Sequence, residues 1–407
     1  MDISITSETG LLNGVIVHTP GREVSLVNPE IKDELLFDDI IYEEDARKEH
    51  LGMLDVFRTV MPDEGQIFEV TDLALECFRD EAARHFYIEL LDKVQPDLNI
   101  TPIIEDLKKL EPDELLEFVV SGTTASLPHF SLHPSPNLLF TRDLAATVPG
   151  GVILSRAARK ARMRESILME TLVEYHPLFS KVKEDAIRIG EQDSIEGGDI
   201  LIASSELVLI GMSERTTFSG LLKAARELLE RQVKTVLVVD IPKQRSSMHL
   251  DTIFTFSSPN ECISFPPAIN DRFNNVAALE LQDGQIVTTP KYSLKSALEE
   301  YLDHEMTFIK CGGEDKTNQF REQWTDGANV FALAPGVIVG YDRNTNTFEA
   351  LRRQGYEVLN QYDFIESFKT TRFEPNSSIK LAISFEGNEL CRGRGGARCM
   401  TMPLNRS

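Results

Sequence analysis

The sequence predicts an α/β fold, a five-bladed α/β propeller of pseudo-fivefold strand–strand–helix–strand modules with a helical insertion. Three observations predict it. A weak internal repeat opens each unit on a polar or thiol residue, short apolar runs follow in pairs around proline and glycine turns, and amphipathic stretches separate the pairs.

Taken in order, one unit opens at Arg142-Asp143 and runs through the turn Pro149-Gly-Gly151 into Val152-Ile-Leu154. The next opens at Glu196-Gly-Gly-Asp199, continues through Ile200-Leu-Ile202 and Leu207-Val-Leu-Ile-Gly211, and reaches Ser213-Glu-Arg215. A third opens at His249-Leu-Asp251, with Ile253-Phe-Thr-Phe256 and Cys262-Ile-Ser-Phe265 as its apolar runs. A fourth opens at Asp326-Gly-Ala-Asn329, turns at Pro335-Gly336 and continues through Val337-Ile-Val-Gly340 to Asp342-Arg343. The fifth is shared by the chain ends, Gly395-Gly-Ala-Arg-Cys399 and Asn13-Gly-Val-Ile-Val17. Such turns between short apolar runs are the hairpin signal.

Residues 220–232 carry Leu221, Leu222, Ala225, Leu228 and Leu229 on one helical stripe, and the apolar run Thr235-Val-Leu-Val-Val-Asp240 follows. The residues opening each first strand, at 143, 199, 251, 329 and 399, are therefore expected to converge on one axis. Residues 73–125 break this rhythm. Their composition is helical, as in Pro112-Asp-Glu-Leu-Leu-Glu-Phe118, where Pro112 suits a first-turn position. The expected division is a catalytic propeller from 1–72 and 126–407, interrupted by a helical insertion at 73–125.

Composition excludes several classes. At 42% hydrophobic and 26% charged, the chain of 407 residues has the make-up of a soluble globular protein. No apolar run approaches the roughly 20 residues that span a bilayer, and the start Met-Asp-Ile-Ser-Ile-Thr lacks the form of a signal peptide. A net charge of −23 repels polyanions, so no nucleic-acid partner is expected despite Arg392-Gly-Arg394-Gly-Gly. Five cysteines without Cys-x-x-Cys spacing argue against a disulfide framework or zinc ribbon and suit a cytoplasmic location.

The repeat sets Asp143, Glu196, Asp199, His249, Asp251 and Cys399 in equivalent places, so they could line one pit. A thiolate nucleophile needs a proton-handling partner, which a histidine backed by a carboxylate supplies. A cationic guanidinium needs carboxylates that match its planar fork. Singly, each residue has a plainer reading. Asp143 could cap a turn, Glu196-Gly-Gly-Asp199 could be a hairpin turn, and Cys399 could be a core thiol. On an extended strand, His249-x-Asp251 would point both side chains one way, as a metal-ligand pair or a self-satisfied histidine also would. A metal hydrolase would want at least three ligands, usually with two histidines or several cysteines. His249 is the one histidine of the set and no His-Glu-x-x-His motif occurs, so neither metal nor cofactor is expected.

The motifs Leu35-Leu-Phe-Asp-Asp39, Pro136-Asn-Leu-Leu-Phe-Thr-Arg-Asp143, Glu196-Gly-Gly-Asp199, Met248-His-Leu-Asp251, Arg321-Glu-Gln-Trp-Thr-Asp-Gly-Ala-Asn329 and Arg392-Gly-Arg-Gly-Gly-Ala-Arg-Cys-Met400 together resemble the arginine deiminase family. That family belongs to the guanidino-group modifying, or pentein, superfamily, and the resemblance runs along essentially the whole chain. It implies hydrolysis of L-arginine to L-citrulline and ammonia, with Cys399 as nucleophile forming an S-alkylthiouronium intermediate. It implies that Asp143 and Asp251 grip the guanidinium and that His249, oriented by Glu196, moves protons. Phe140 matches an aromatic wall, and Asp199 a supporting acid. Asn137, Arg162, Arg215 and Arg394, with the Gly393 carbonyl nearby, match positions around the substrate's α-carboxylate. The segment 35–39 resembles a loop that closes over substrate, and homo-oligomers occur in the family. The alternatives are a related hydrolase of a modified guanidino compound and a non-catalytic arginine-binding homologue.

One local departure stands out. Arg398 precedes the cysteine where relatives often carry histidine, and Ala397 replaces a glycine. The extra cation could lower the thiol pKa, point to solvent, or disturb the closed loop.

Overall fold

The structure, a computed structural model, describes residues 2–94, 100–375 and 378–407. Its strands form five sheets, one for each repeat unit of the sequence. Strands β3 (Ala145–Val148) and β4 (Gly151–Leu154) make the first hairpin, and Ile153 bridges to Ile187 in parallel beyond the helix Met163–Tyr175. In the next unit β5 (Ile200–Ser204) pairs antiparallel with β6 (Leu207–Met212), and β6 pairs parallel with β7 (Thr235–Asp240) beyond the helix Phe218–Leu229. The third unit repeats this with β8 (Phe254–Ser258), β9 (Glu261–Ser264) and β12 (Thr307–Lys310).

The fourth unit has β13 (Phe331–Ala334) antiparallel to β14 (Val337–Tyr341), which pairs parallel with β16 (Leu381–Phe385); β15 (Glu357–Asn360) flanks β16. The chain ends complete the fifth. There β17 (Met402–Arg406) lies antiparallel to β1 (Leu12–Val17), and β1 is parallel to β2 (Gln66–Glu69). Every unit thus has one antiparallel pair and one parallel partner reached through a helical crossover, the connection that parallel strands require.

Two features depart from the expected module. A hairpin of β10 (Val276–Gln282) and β11 (Gln285–Lys291) inserts before β12 and extends the second unit's sheet through β7, giving the order β11-β10-β7-β6-β5. In addition, His249-Leu-Asp251 is not on a strand. His249 is extended, but Leu250–Thr252 is a 3-10 turn ahead of β8. Equivalent 3-10 turns, Thr141–Asp143 and Gly197–Asp199, precede β3 and β5.

These turns link the units in a closed ring. Arg142 N–H donates to the Cys399 carbonyl at 3.0 Å. Gly198 N–H donates to Asp143 Oδ1 at 3.0 Å, and Leu250 N–H to Asp199 Oδ1 at 2.9 Å. Asn329 Nδ2 donates to the Asp251 carbonyl at 2.9 Å, and Cys399 N–H returns to Asn329 Oδ1 at 3.1 Å. Each opening residue is therefore tied to the next around the axis.

In the expected helical stretch, residues 95–99 lie outside those described. Helices Val70–Phe78 and Glu81–Val94 pack on Met163–Tyr175, and Pro112–Ser121 packs on Val70–Phe78, so that Phe78, Tyr87, Leu115 and Phe118 share a core with Leu168 and Leu172. Pro112 starts its helix, with Glu111 as the capping residue. Among the described residues no helix is long and apolar enough to cross a membrane.

Candidate active site

A cavity at the ring is lined by Leu36, Asn137, Phe140, Asp143, Arg162, Arg215, Arg245, Met248, His249, Gly393, Arg394 and Cys399. Glu196 and Asp199 stand behind its lining and Asp251 lies directly beside the lining residue Cys399, each of the three 0% exposed. Burying so many charges costs free energy unless each finds partners, and the partners define the site.

His249 has carboxylates on both sides. Its Nε2 is 2.8 Å from Glu196 Oε2 and its Nδ1 is 3.7 Å from Asp143 Oδ1. Burial works to lower its pKa, but Asp143 and the Glu196 hydrogen bond dominate and raise it to about 9. The ring is cationic at neutral pH and poised to give up a proton. Burial works to raise Glu196, yet the His249 hydrogen bond and the Arg215 charge hold it at about 2. Its other oxygen accepts from Ala158 N–H at 3.0 Å. Asp199 is a supporting acid. It receives Ser213 and Thr216 hydroxyls at 2.6 Å each, besides the Leu250 amide, while burial lifts its pKa to about 6.

The glycines of Glu196-Gly-Gly-Asp199 are there because nothing larger fits. A Cβ on Gly197 would lie 2.1 Å from the Arg142 carbonyl, and one on Gly198 would lie 2.8 Å from the His249 ring.

Cys399 Sγ lies 3.7 Å from Asp251 Oδ2. Burial, then Asp251 and Asp143, push the thiol well above its usual range. Asp251 Oδ1 is buried without a hydrogen-bond partner. Phe140 forms part of the wall, 6.4 Å between centroids from Phe37 of the segment 35–39. That segment lies across the pit: Asn137 Nδ2 donates to the Leu35 carbonyl at 2.8 Å, and Arg245 pairs with Asp38 at 3.1 Å.

The arginines differ in what they have free. Arg162 is fully engaged, with Nη1 on Asp143 Oδ2 at 2.5 Å, Nε on Glu165 at 2.9 Å and Nη2 on the Asn137 and Phe140 carbonyls. Arg215 donates to Glu214 and Glu196. Arg394 is buried with no hydrogen bond from Nε, Nη1 or Nη2, its nearest carboxylate, Asp38, being 3.9 Å away. Its guanidinium carbon stacks 3.7 Å from the Trp324 ring centroid.

Sequence reasoning did not assign Trp324, Arg245, Met248 or Glu8 to the site. Trp324 was legible in principle, being the single tryptophan and inside the motif Arg321–Asn329; Glu8 carries no local signal. Arg398 is neither at the surface nor disruptive. It is 1% exposed and ion-paired with Glu8 at 2.9 Å and Asp251 at 3.0 Å.

Asp143, Glu196 and His249 present ligand-type atoms within 4.8 Å of one another. A metal does not suit them, because the Arg162 and Arg215 guanidinium groups already lie within 4.0 Å of Glu196, and Arg162 also pairs with Asp143. Two cations already beside these carboxylates oppose a third.

Solved structures share this architecture. An amidinotransferase from Microseira wollei matches at TM-score 0.56 and 11% identity, covering 99% of this chain and 97% of its own. DDAH from Pseudomonas aeruginosa, solved with citrulline, matches at TM-score 0.50 and 15% identity, covering 97% of this chain and 99% of its own. The fold is that of the pentein class. The family model described as arginine deiminase matches residues 33–406. Arginine deiminases of Listeria monocytogenes serotype 4b (strain CLIP80459) and Bacillus thuringiensis subsp. konkukian are each 36% identical, over 99% of this chain and 98% of theirs. The chain belongs to the arginine deiminase family and is a hydrolase of that type.

Proposed function

We propose a two-step covalent route by which this chain hydrolyses L-arginine to L-citrulline and ammonia. The observation that carries it is the shared cavity of Cys399, His249 and Asp143, which Arg394 also lines without making a hydrogen bond. The guanidinium enters between Asp143 and Asp251, displacing Arg162 from Asp143 Oδ2. Arg162 is then free to join Asn137, Arg215, Arg394 and the Gly393 carbonyl around the amino-acid end of the substrate.

The incoming cation lowers the Cys399 thiol pKa, so the thiol gives its proton to solvent as substrate binds and is left as the thiolate. Sulfur attacks the guanidino carbon. Cationic His249 protonates the departing nitrogen and ammonia leaves, with an S-alkylthiouronium adduct remaining on Cys399. The now neutral His249 takes a proton from water, the hydroxyl oxygen attacks the same carbon, and collapse releases sulfur and citrulline. Glu196 keeps the imidazole oriented throughout, and Asp199 braces the turn that holds it.

Cys399→Ser tests this. It is expected to lower citrulline formation at least about 10⁴-fold, with the melting temperature kept. Acid quench of the wild-type enzyme with labelled arginine, in EDTA, is expected to leave label on Cys399. Turnover persisting in the serine variant would overturn the assignment.

We also propose a cytoplasmic homo-oligomer. Five unpaired cysteines support the reducing compartment. The stacked, exposed pair Phe273 and Tyr292, beside the edge strand β11, supports self-association. A monomeric mass by light scattering would refute the oligomer.

A further inference from the structure

Arg398 leads the fully buried side chains in volume. From the fifth unit its fork reaches the second and third units and the N-terminal segment. Nε and Nη2 sit on the Glu8 carboxylate at 3.1 and 2.9 Å, Nη2 also donates to the Ile200 carbonyl at 2.8 Å, and Nη1 donates to Asp251 Oδ2 at 3.0 Å. Glu8 is itself fixed, because its Oε1 accepts from Ile202 N–H at 3.1 Å. The guanidinium is therefore held from behind and cannot swing into the cavity, which it does not line.

The consequence falls on Asp251. One of its oxygens, Oδ2, is held by Arg398 and lies nearest the Cys399 sulfur; the other, Oδ1, is buried with no partner. We infer that Arg398 is a positioning residue that clamps Asp251 by Oδ2 and leaves Oδ1 as the single oxygen offered to the substrate's guanidinium. A carboxylate turns about its terminal bond with little restraint, and a free one would take a guanidinium with both oxygens. Clamped, Asp251 binds one nitrogen and orients the guanidino carbon relative to sulfur.

The same contact sets charge. Asp251 is faced by Arg398 of the fifth unit, Arg142 and Asp143 of the first, His249 of its own segment, Cys399, and Asp326 of the fourth. Burial favours its neutral form, and Arg398 is the largest opposing influence. Removing that cation makes Asp251 take up a proton at higher pH, so activity that needs the carboxylate fails earlier on acidification.

The inference rests on the proposed roles of Asp251 and Cys399, and its test separates the two. Full-length wild type, Arg398→Lys and the double variant Glu8→Gln/Arg398→Gln are compared by kcat and KM from pH 4.5 to 9.5. The double variant removes both members of the Glu8–Arg398 pair, so neither is left as a lone charge, and Asp251 alone loses its cation, which is the effect under test. It is expected to fold, to lose kcat/KM about 100-fold, and to have its acid limb raised by about one pH unit. Arg398→Lys keeps the cation but not the fork; it should lose about tenfold with its acid limb near that of wild type.

A double variant within threefold of wild type, or one depressed equally at all pH values, overturns the inference. So does an Arg398→Lys enzyme whose limb moves upward. Failure of the underlying assignment would look different, because Cys399→Ser would then still turn over.

Discussion

The Arg394 guanidinium has no hydrogen-bond partner although it is buried, and its backbone is left-handed, at φ 65°. Both conditions are unfavourable for a free enzyme and sensible for one that waits for an anion. Trp324 holds the guanidinium plane from one side at 3.7 Å. A stacked arginine–tryptophan contact is worth about 0.5–2 kcal/mol. Trp324→Ala is therefore expected to raise KM for arginine several-fold, to roughly 30-fold at most, with kcat little changed and Trp324→Phe partly restoring it. Steady-state kinetics decide this, and an unchanged KM in the alanine variant sinks it. At this scale residue types in motifs were readable, but pairings were not. Nothing local in the chain joins Glu8 to Arg398, which lie 390 positions apart.

The 3-10 turns that open the first strands are the working elements. They aim Asp143, Asp199 and Asp251 inward, and they are tight enough that glycine is required at Gly198 beside His249. Gly198→Ala would place a methyl 2.8 Å from the imidazole and 2.9 Å from Asp143 Oδ1. Either side chain must shift, and an ångström of misplacement costs about 10²-fold in rate. The expected outcome is that loss in kcat, with chemical denaturation showing a smaller change; near-normal kcat would show that the pair is not rate-determining. Strand positions were largely legible, because apolar pairs around Pro149-Gly150 and Pro335-Gly336 carry a local signal. The β10–β11 hairpin was not legible. Its outer strand is largely exposed and reads as polar, so it lacks a core-facing pattern.

For the molecule as a whole, the buried ion pairs make stability depend on pH in both directions. His249 and His18 have folded pKa values raised to about 9 and about 10. The stability they contribute is complete below about 6.5, the ordinary histidine value, and is lost as pH rises through those values. Glu196 and Glu8, each lowered to about 2, contribute above the ordinary carboxylate range and lose that contribution as pH falls toward 2. The melting temperature is thus expected to peak between about pH 5 and 6.5 and to decline toward pH 9.5, more steeply in wild type than in His249→Gln. A profile flat from pH 6.5 to 9.5 would contradict the raised histidines.

The chain by itself determined the five-unit repeat, the family and the residue types converging on the axis, because these follow from periodicity and short-range motifs. Only the tertiary structure decided which charge meets which. Arg162 occupies Asp143, Arg398 clamps Asp251, and Arg394 is left without a hydrogen bond, because burial removes water as the alternative partner and only the closed ring determines which ions remain within reach.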